Sequence, residues 1–351
     1  MAPKIYNMIP KIYNSKARSR CYEAILFILL LCGYNYNYFD KNMFYKITAK
    51  FYCLILVSVM VYTTFACRNT QNWPHIWLLL EYVFSALIIL FYRTKMNLFL
   101  QKLKLIDMYL RINYRHYNWE LWKIIGFTIV LWVLRIGHMY LYCAKDWCYD
   151  IFSIFLISQF STIALDVNGV WRCAIFDIIR YRLKILRIRL EESPENNFYL
   201  YVNKNKTLKE NKIRLMLFIY RTIADVLAMI SPELDATVSI TFYLEPTLLF
   251  VCGFLMLHTL QIILFLFTPF LIVEFYSIEV ERILLFLIHK VIDETDPGTK
   301  VDAKLFIKYI QIRSFRYKIW RILRVNADLP FELINVCVNF VLVLRNFMHL
   351  Y

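Results

Sequence analysis

The sequence predicts an all-α membrane protein of seven transmembrane helices in inverted orientation, amino terminus cytosolic and carboxyl terminus extracellular, with cytosolic helical extensions. Three observations predict it. Runs of roughly 20 nearly uncharged residues recur along the chain, and that length carries a helix across a hydrocarbon core about 30 Å thick. The 351 residues are 60% hydrophobic and 18% aromatic, with a mean hydropathy of +0.49, well above an ordinary soluble domain. Finally, lysine and arginine are concentrated in alternate connections, and such residues near span ends mark the cytosolic side.

The first element is the apolar stretch CYEAILFILLLCG at 21–33, preceded by KARSR. It is too short to span, and no small-residue cleavage site follows it. An uncleaved helix lying in or dipping into the inner leaflet is expected within a cytosolic amino-terminal segment, 1–43. Residues 44–351 then form the seven-span domain. Its spans are expected at about 44–66, 73–92, 121–143, 149–170, 235–253, 257–278 and 331–351. The last contains NFVLVLRNFMHLY, 339–351, a largely apolar run that carries one arginine, Arg345, and is expected to finish at the outer face.

Charge sets the orientation. The segment through Lys50 carries eight basic residues, Arg93–Lys123 seven, Arg172–Arg221 twelve and Arg282–Arg324 ten, so 37 of the 41 lie on one side. If 21–33 spanned, every later loop would flip and the asymmetry would reverse. The net charge of +15 is therefore an inner-face property, and no nucleic-acid partner is needed to explain it. The sequon Asn205-Lys206-Thr207 falls in a cytosolic connection and is expected to stay unglycosylated.

A cytosolic helical layer is expected from 172–232 and 279–330. After the fourth span, RCAIFDIIRYRLKILRIRLEE keeps helical spacing. From Lys304 to Arg324, Leu305, Tyr309, Ile312, Ile319 and Leu323 share one helical stripe, which suits either packing in this layer or lying on anionic lipid. Of the nine cysteines, Cys143 and Cys148 flank a short outer loop; a disulfide there depends on geometry that spacing does not fix.

Enzyme signatures are missing. There is no GxxxxGK[ST], HExxH, GxSxG or CxxC, and the six histidines form no metal-ligand spacing. Neither catalysis nor a cofactor is expected. The chemistry lies instead in ionisable groups within spans, which are costly there and usually face a cavity or each other: Glu81, Arg135, Asp166, Glu245, Glu274 and Arg345. Aromatic walls with a few polar groups describe a small-molecule pocket, and its candidate lining is Trp77, Glu81, Tyr82, Arg135, His138, Tyr142, Gln159, Tyr243 and Glu245. The alternative is that Glu81 pairs with Arg135 to join two helices and Tyr142 anchors at the interface. Arg345 either snorkels to the outer headgroups or stands on the wall of an aqueous pathway.

This architecture resembles the insect gustatory receptors, seven-transmembrane chemosensory ligand-gated ion channels related to insect odorant receptors. In that family Thr-Tyr, five apolar residues and Gln-Phe close the final span. Here Asn339-Phe340, then Val341, Leu342, Val343, Leu344 and Arg345, then Asn346-Phe347 occupy the pattern. Phe347 matches outright, Phe340 and Asn346 are close replacements, and Asn339 and Arg345 depart from it.

The resemblance implies a cation-channel subunit, assembled as a homo- or hetero-tetramer in the plasma membrane, with membrane lipids around it and a small-molecule tastant as ligand. It implies a pore lined by the last span, with Val343, Arg345, Asn346 and Phe347 as candidate pore positions. A positive ring at Arg345 would repel permeant cations, so that side chain points off the axis or the subunit conducts poorly and serves a mixed receptor. Sugar-sensing members carry an acidic residue in the closing pattern, which this chain lacks, so bitter or other plant-derived compounds are the expected ligands. A G-protein-coupled receptor is the alternative, but its DRY-like and NPxxY-like motifs are missing and its orientation is opposite.

Overall fold

A computed structural model describes residues 25–36, 43–66, 73–91, 96–110, 112, 126, 128–130, 132–133, 136–137, 152–192, 212–251, 256–313, 315, 318–319, 323–324, 328, 331–332, 335, 338–339 and 342–343. Seven long helices carry most of them: α1 Met43–Ala66, α2 Trp73–Phe91, α3 Met96–Leu110, α4 Phe152–Glu191, α5 Lys212–Val251, α6 Met256–Asp293 and α7 Pro297–Ile312. A short helical stretch lies at 25–31, and helical residues recur among the described positions from 126 to 137 and from 331 to 343. Two-residue strands, β1 Lys318–Ile319 and β2 Leu323–Arg324, pair antiparallel with Ile319 opposite Leu323.

α1 has neither glycine nor proline. Two of its threonines return their hydroxyls to the helix, Thr48 to Phe44 O at 2.9 Å and Thr63 to Val59 O at 2.7 Å, which satisfies those polar groups on a largely apolar helix. Met43–Thr63 is long and apolar enough to cross a membrane, and Leu79–Phe91 is a shorter apolar helix. Phe44, Phe51, Ile55 and Tyr62 point outward with 61% to 76% of their surface exposed. Such a face suits contact with a membrane or with another protein surface.

α4 and α5, at 40 residues each, are about 60 Å long, twice a hydrocarbon core. The apolar runs expected to span are therefore continuous with the extensions beyond them. Arg172, just past the fourth apolar run, is buried and donates to Thr237 O in α5 at 3.3 Å. α6 packs most extensively on α4. The guanidinium of Arg180 sits 5.7 Å from the Phe275 ring centre, and Arg187 Nε lies 2.6 Å from Glu279, so the two helices run the same way. That direction sets the expected inner ends of the fourth and sixth spans, near 170 and 278, at different heights in the bundle. Pro269 inside α6 removes one backbone hydrogen bond.

A three-residue connection, 294–296, turns α6 into α7. Asp296 caps α7 by accepting from Thr299 N at 2.8 Å, and Pro297 follows at the first helical position. α7 then lies along α5 in parallel. Arg214 pairs with Asp302 and Arg313 with Asp225, each pair 88 residues apart in sequence. A constant offset over three turns fixes direction and register together.

This register corrects the expectation for 304–324. The helix starts earlier and ends at Ile312, and Ile319 and Leu323 lie in the strand pair. The buried face is Asp302, Ala303, Phe306 and Ile310, while Leu305 and Ile312 are exposed. A paired carboxylate and the ring of Phe306 against Tyr220, 5.3 Å between centres, decide the face. Hydrophobic spacing alone registers only the side chains' apolarity.

Candidate functional site

The polar interior lies where residues 25–36 enter the bundle. Leu29 and Tyr34 are fully buried, and Tyr36 and Asn35 nearly so. The short helix 25–31 stops at Gly33, whose φ is +89°. Tyr34 N–H donates to Leu29 O at 2.8 Å and Gly33 N–H to Leu30 O at 2.9 Å, the paired Schellman pattern that requires a left-handed residue. Its remaining carbonyls are capped by phenols: Tyr52 of α1 donates to Leu31 O at 2.9 Å and Tyr82 of α2 to Cys32 O at 3.0 Å. Non-helical backbone inside a bundle needs such partners. Tyr36 then donates to Asn168 of α4 at 2.8 Å, so this strap ties α1, α2 and α4 together.

The third apolar stretch joins at a neighbouring point. Trp132 Nε1 donates to Asp166 Oδ2 at 2.9 Å. Asp166 and Glu81, two of the ionisable groups expected within spans, are both buried. The Tyr82 and Phe160 rings meet edge-on, 6.1 Å between centres, which sets the middle of α2 against the upper part of α4.

Glu81 and Tyr82 therefore stand together on α2, Tyr82 fully buried with its hydroxyl on the strap. Trp77 lies one turn earlier on the same helix, and Gln159 adjoins Phe160 on α4. Tyr243 and Glu245 lie on the upper half of α5. Side-chain positions of Trp77, Gln159, Tyr243 and Glu245 are outside the described set, as are Arg135, His138 and Tyr142 entirely. Of the pore candidates, Val343 is helical and half exposed, whereas Arg345, Asn346 and Phe347 lie outside the described residues. Cys143, Cys148 and the sequon at Asn205 do too.

The last helix starts against α6: the Phe267 and Phe331 rings meet edge-on at 5.0 Å, and Glu332 N–H donates to Asp328 O at 3.0 Å. Farther along, Val338, Leu342 and Val343 are about half exposed. The strap tyrosines were not singled out from the sequence. The signal was present in LCGYNYNYF, a glycine ending an apolar run before an alternation of tyrosine and asparagine.

What these helices define is a bundle with a polar, tyrosine-rich interior, an outward apolar face and a charged helical extension. No protein-family model and no curated protein matches the chain. Solved structures do. The insect olfactory receptor OR5 from Machilis hrabei, determined in complex with eugenol, superposes with a TM-score of 0.59 at 12% identity, over 95% of this chain and 100% of that one. The chain thus has the fold of an insect olfactory receptor.

Proposed function

We propose that the protein is a chemosensory receptor that acts as a ligand-gated cation channel subunit, gustatory in type and responsive to bitter or other plant-derived compounds. The observation that carries this reading is the fold likeness, which takes in the whole of the olfactory receptor chain. That receptor was determined with eugenol bound, and a small-molecule ligand is the proposal here. The polar interior around Glu81 and Tyr82 supplies the mix of aromatic walls and few polar groups that small-molecule sites use. The half-exposed Val338, Leu342 and Val343 suit a last helix that meets other subunits around a pore.

On this reading the chain works as a homo- or hetero-tetramer in the plasma membrane, amino terminus inside, and Val343, Arg345, Asn346 and Phe347 line or flank the conduction path. The test is to express the chain in cultured cells, alone and with related subunits, and record currents against plant alkaloids and sugars. Alkaloid-evoked cation current that survives complete block of G-protein signalling is the expected result. Asn346→Ala should alter conductance or gating, and Arg345→Leu should leave both nearly unchanged if the guanidinium snorkels. A response abolished by the G-protein block would overturn the channel reading.

A further inference from the structure

Every described residue of the final helix between 331 and 343 is exposed: Phe331, Glu332, Asn335, Val338, Asn339, Leu342 and Val343. At about 100° per residue these positions divide into two stripes. Phe331, Val338 and Leu342 lie within about 40° of one another and include the ring that rests on Phe267. Glu332, Asn335 and Asn339 lie within about 60°, centred about 70° farther round, and Val343 borders them. The polar stripe is linked along its length, since Asn339 Nδ2 donates to Asn335 Oδ1 at 3.4 Å.

The apolar stripe can meet lipid or another subunit. The polar one has fewer choices. Its side chains are exposed, so the chain's own bundle does not cover them. A carboxylate and two amides turned toward hydrocarbon would be costly, and such groups within a span face one another or a water-filled cavity. Dry contact between subunits is also unfavourable, because a symmetric assembly brings the same carboxylate from every copy to one level, and like charges resist being desolvated together. An aqueous path is left. Positions 332, 335, 339 and 346 keep the spacing of one helical face in the sequence, so Asn346, proposed for the conduction path on other grounds, extends the same pattern.

We propose that Glu332, Asn335 and Asn339 line the inner part of the conduction path, and that Glu332 is a specificity-determining residue that gathers cations at its inner mouth. The assignment rests on the channel reading, which supplies the membrane and the symmetric subunits. Rings of acidic side chains draw cations into a pore, and amide oxygens stand in for part of an ion's water shell.

Two measurements on the full chain test it. In lipid nanodiscs, Asn335→Cys and Asn339→Cys are compared with Val338→Cys for reaction with a charged, water-soluble methanethiosulfonate, counted by intact mass as label beyond that on the parent chain. Extra label at 335 and 339 but not at 338 is expected, and either amide position suffices if the other variant misfolds. No extra label at the amide positions, or equal label at all three, overturns the proposal, because the stripe is then dry or does not orient the helix. In excised patches, Glu332→Gln should lower the unitary outward cation current about twofold in about 0.01 M salt, where the Debye length is about 30 Å, and match the parent near 1 M, where it is about 3 Å. Glu332→Asp should keep the parent's current. Equal currents in Glu332→Gln and parent at low salt overturn the role of the carboxylate. Current without label at the stripe sinks this proposal and leaves the channel reading standing, whereas label at the stripe in a parent that passes no current sinks the channel reading and the conduction role with it.

Discussion

The two halves of the bundle are held by different chemistry. Around the strap, where the apolar runs gather, the links between elements are neutral donors: Tyr52 and Tyr82 on strap carbonyls, Tyr36 on Asn168, and Trp132 on the carboxylate of Asp166. In the extension the links are ion pairs: Asp107 of α3 with Arg182 of α4, Arg187 with Glu279 of α6, Arg214 with Asp302 and Arg313 with Asp225. The contrast teaches what each surrounding allows. A charge far from water is tolerable only with a partner and full hydrogen bonding, whereas a phenol brings a hydrogen bond and a large apolar ring together.

The sharpest way to break this division is at its most buried ion pair. Arg182 Nη2 lies 2.8 Å from Asp107, and both side chains are 3% exposed. Asp107→Ala should destabilise the full chain by about 3–5 kcal/mol, since it strands a buried guanidinium. Asp107→Leu combined with Arg182→Met should recover most of that loss. Thermal unfolding in detergent checks both, and a mild single mutant would mean that the pair is far better hydrated than its burial implies.

Next in size is the strap. A Cβ on Gly33 would lie 2.6 Å from the Tyr82 hydroxyl and 3.1 Å from Leu56, at a φ of +89°. Gly33→Ala should cost about 2 kcal/mol from the left-handed backbone alone, with the contact adding to it. Tyr82→Phe removes one hydrogen bond, worth about 1 kcal/mol, and also the atom that collides. The double variant should therefore be less damaged than the two singles added together. Additive losses in the same melting assay would show that strain, not the collision, governs Gly33.

A smaller effect is expected where charges meet water. Arg313 and Asp225 are each about 40% exposed, so Asp225→Asn should cost only about 0.5 kcal/mol, and less in 1 M salt. A large, salt-independent loss would place this pair with the buried class.

The smallest effect concerns the α7 cap. Hydrogen bonds from Thr299 hold the Asp296 carboxyl below its ordinary value of 3.8. A lowered folded pKa means that the cap's contribution is complete above 3.8 and fades as pH falls through the folded value. Protection of the Thr299 amide, measured against its intrinsic exchange rate at each pH, should fall in that acid range, and Asp296→Ala should be less protected at neutral pH with little further loss in acid.

The sequence was most legible where one kind of signal dominated. α1 and α2 fall within a residue or two of their apolar runs, because loop-type residues punctuate both ends. α7 was misread because its face is decided by Asp302 and Phe306 meeting partners on α5, and no local period reports an interaction 88 residues away. The strap was visible only as a short apolar run and a glycine. Its fastening by Tyr36, Tyr52 and Tyr82 depends on which helices neighbour it, and hydropathy gives no neighbours. Charge counting grouped the basic connections, but did not report that Arg172, Arg182 and Arg187 face inward to other helices.

The α6 to α7 hairpin has a practical corollary. Because α7 climbs back beside α5, the linker at 313–331 leaves from the level of Asp225 and not from the hairpin's tip. A reporter domain spliced into 294–296 would hang from a closed end and leave the final helix seated on Phe267. The same insert after Arg313 would lengthen the tether and let that helix drift. Comparing surface delivery of the two fusions would turn a register into a map of permissive insertion points.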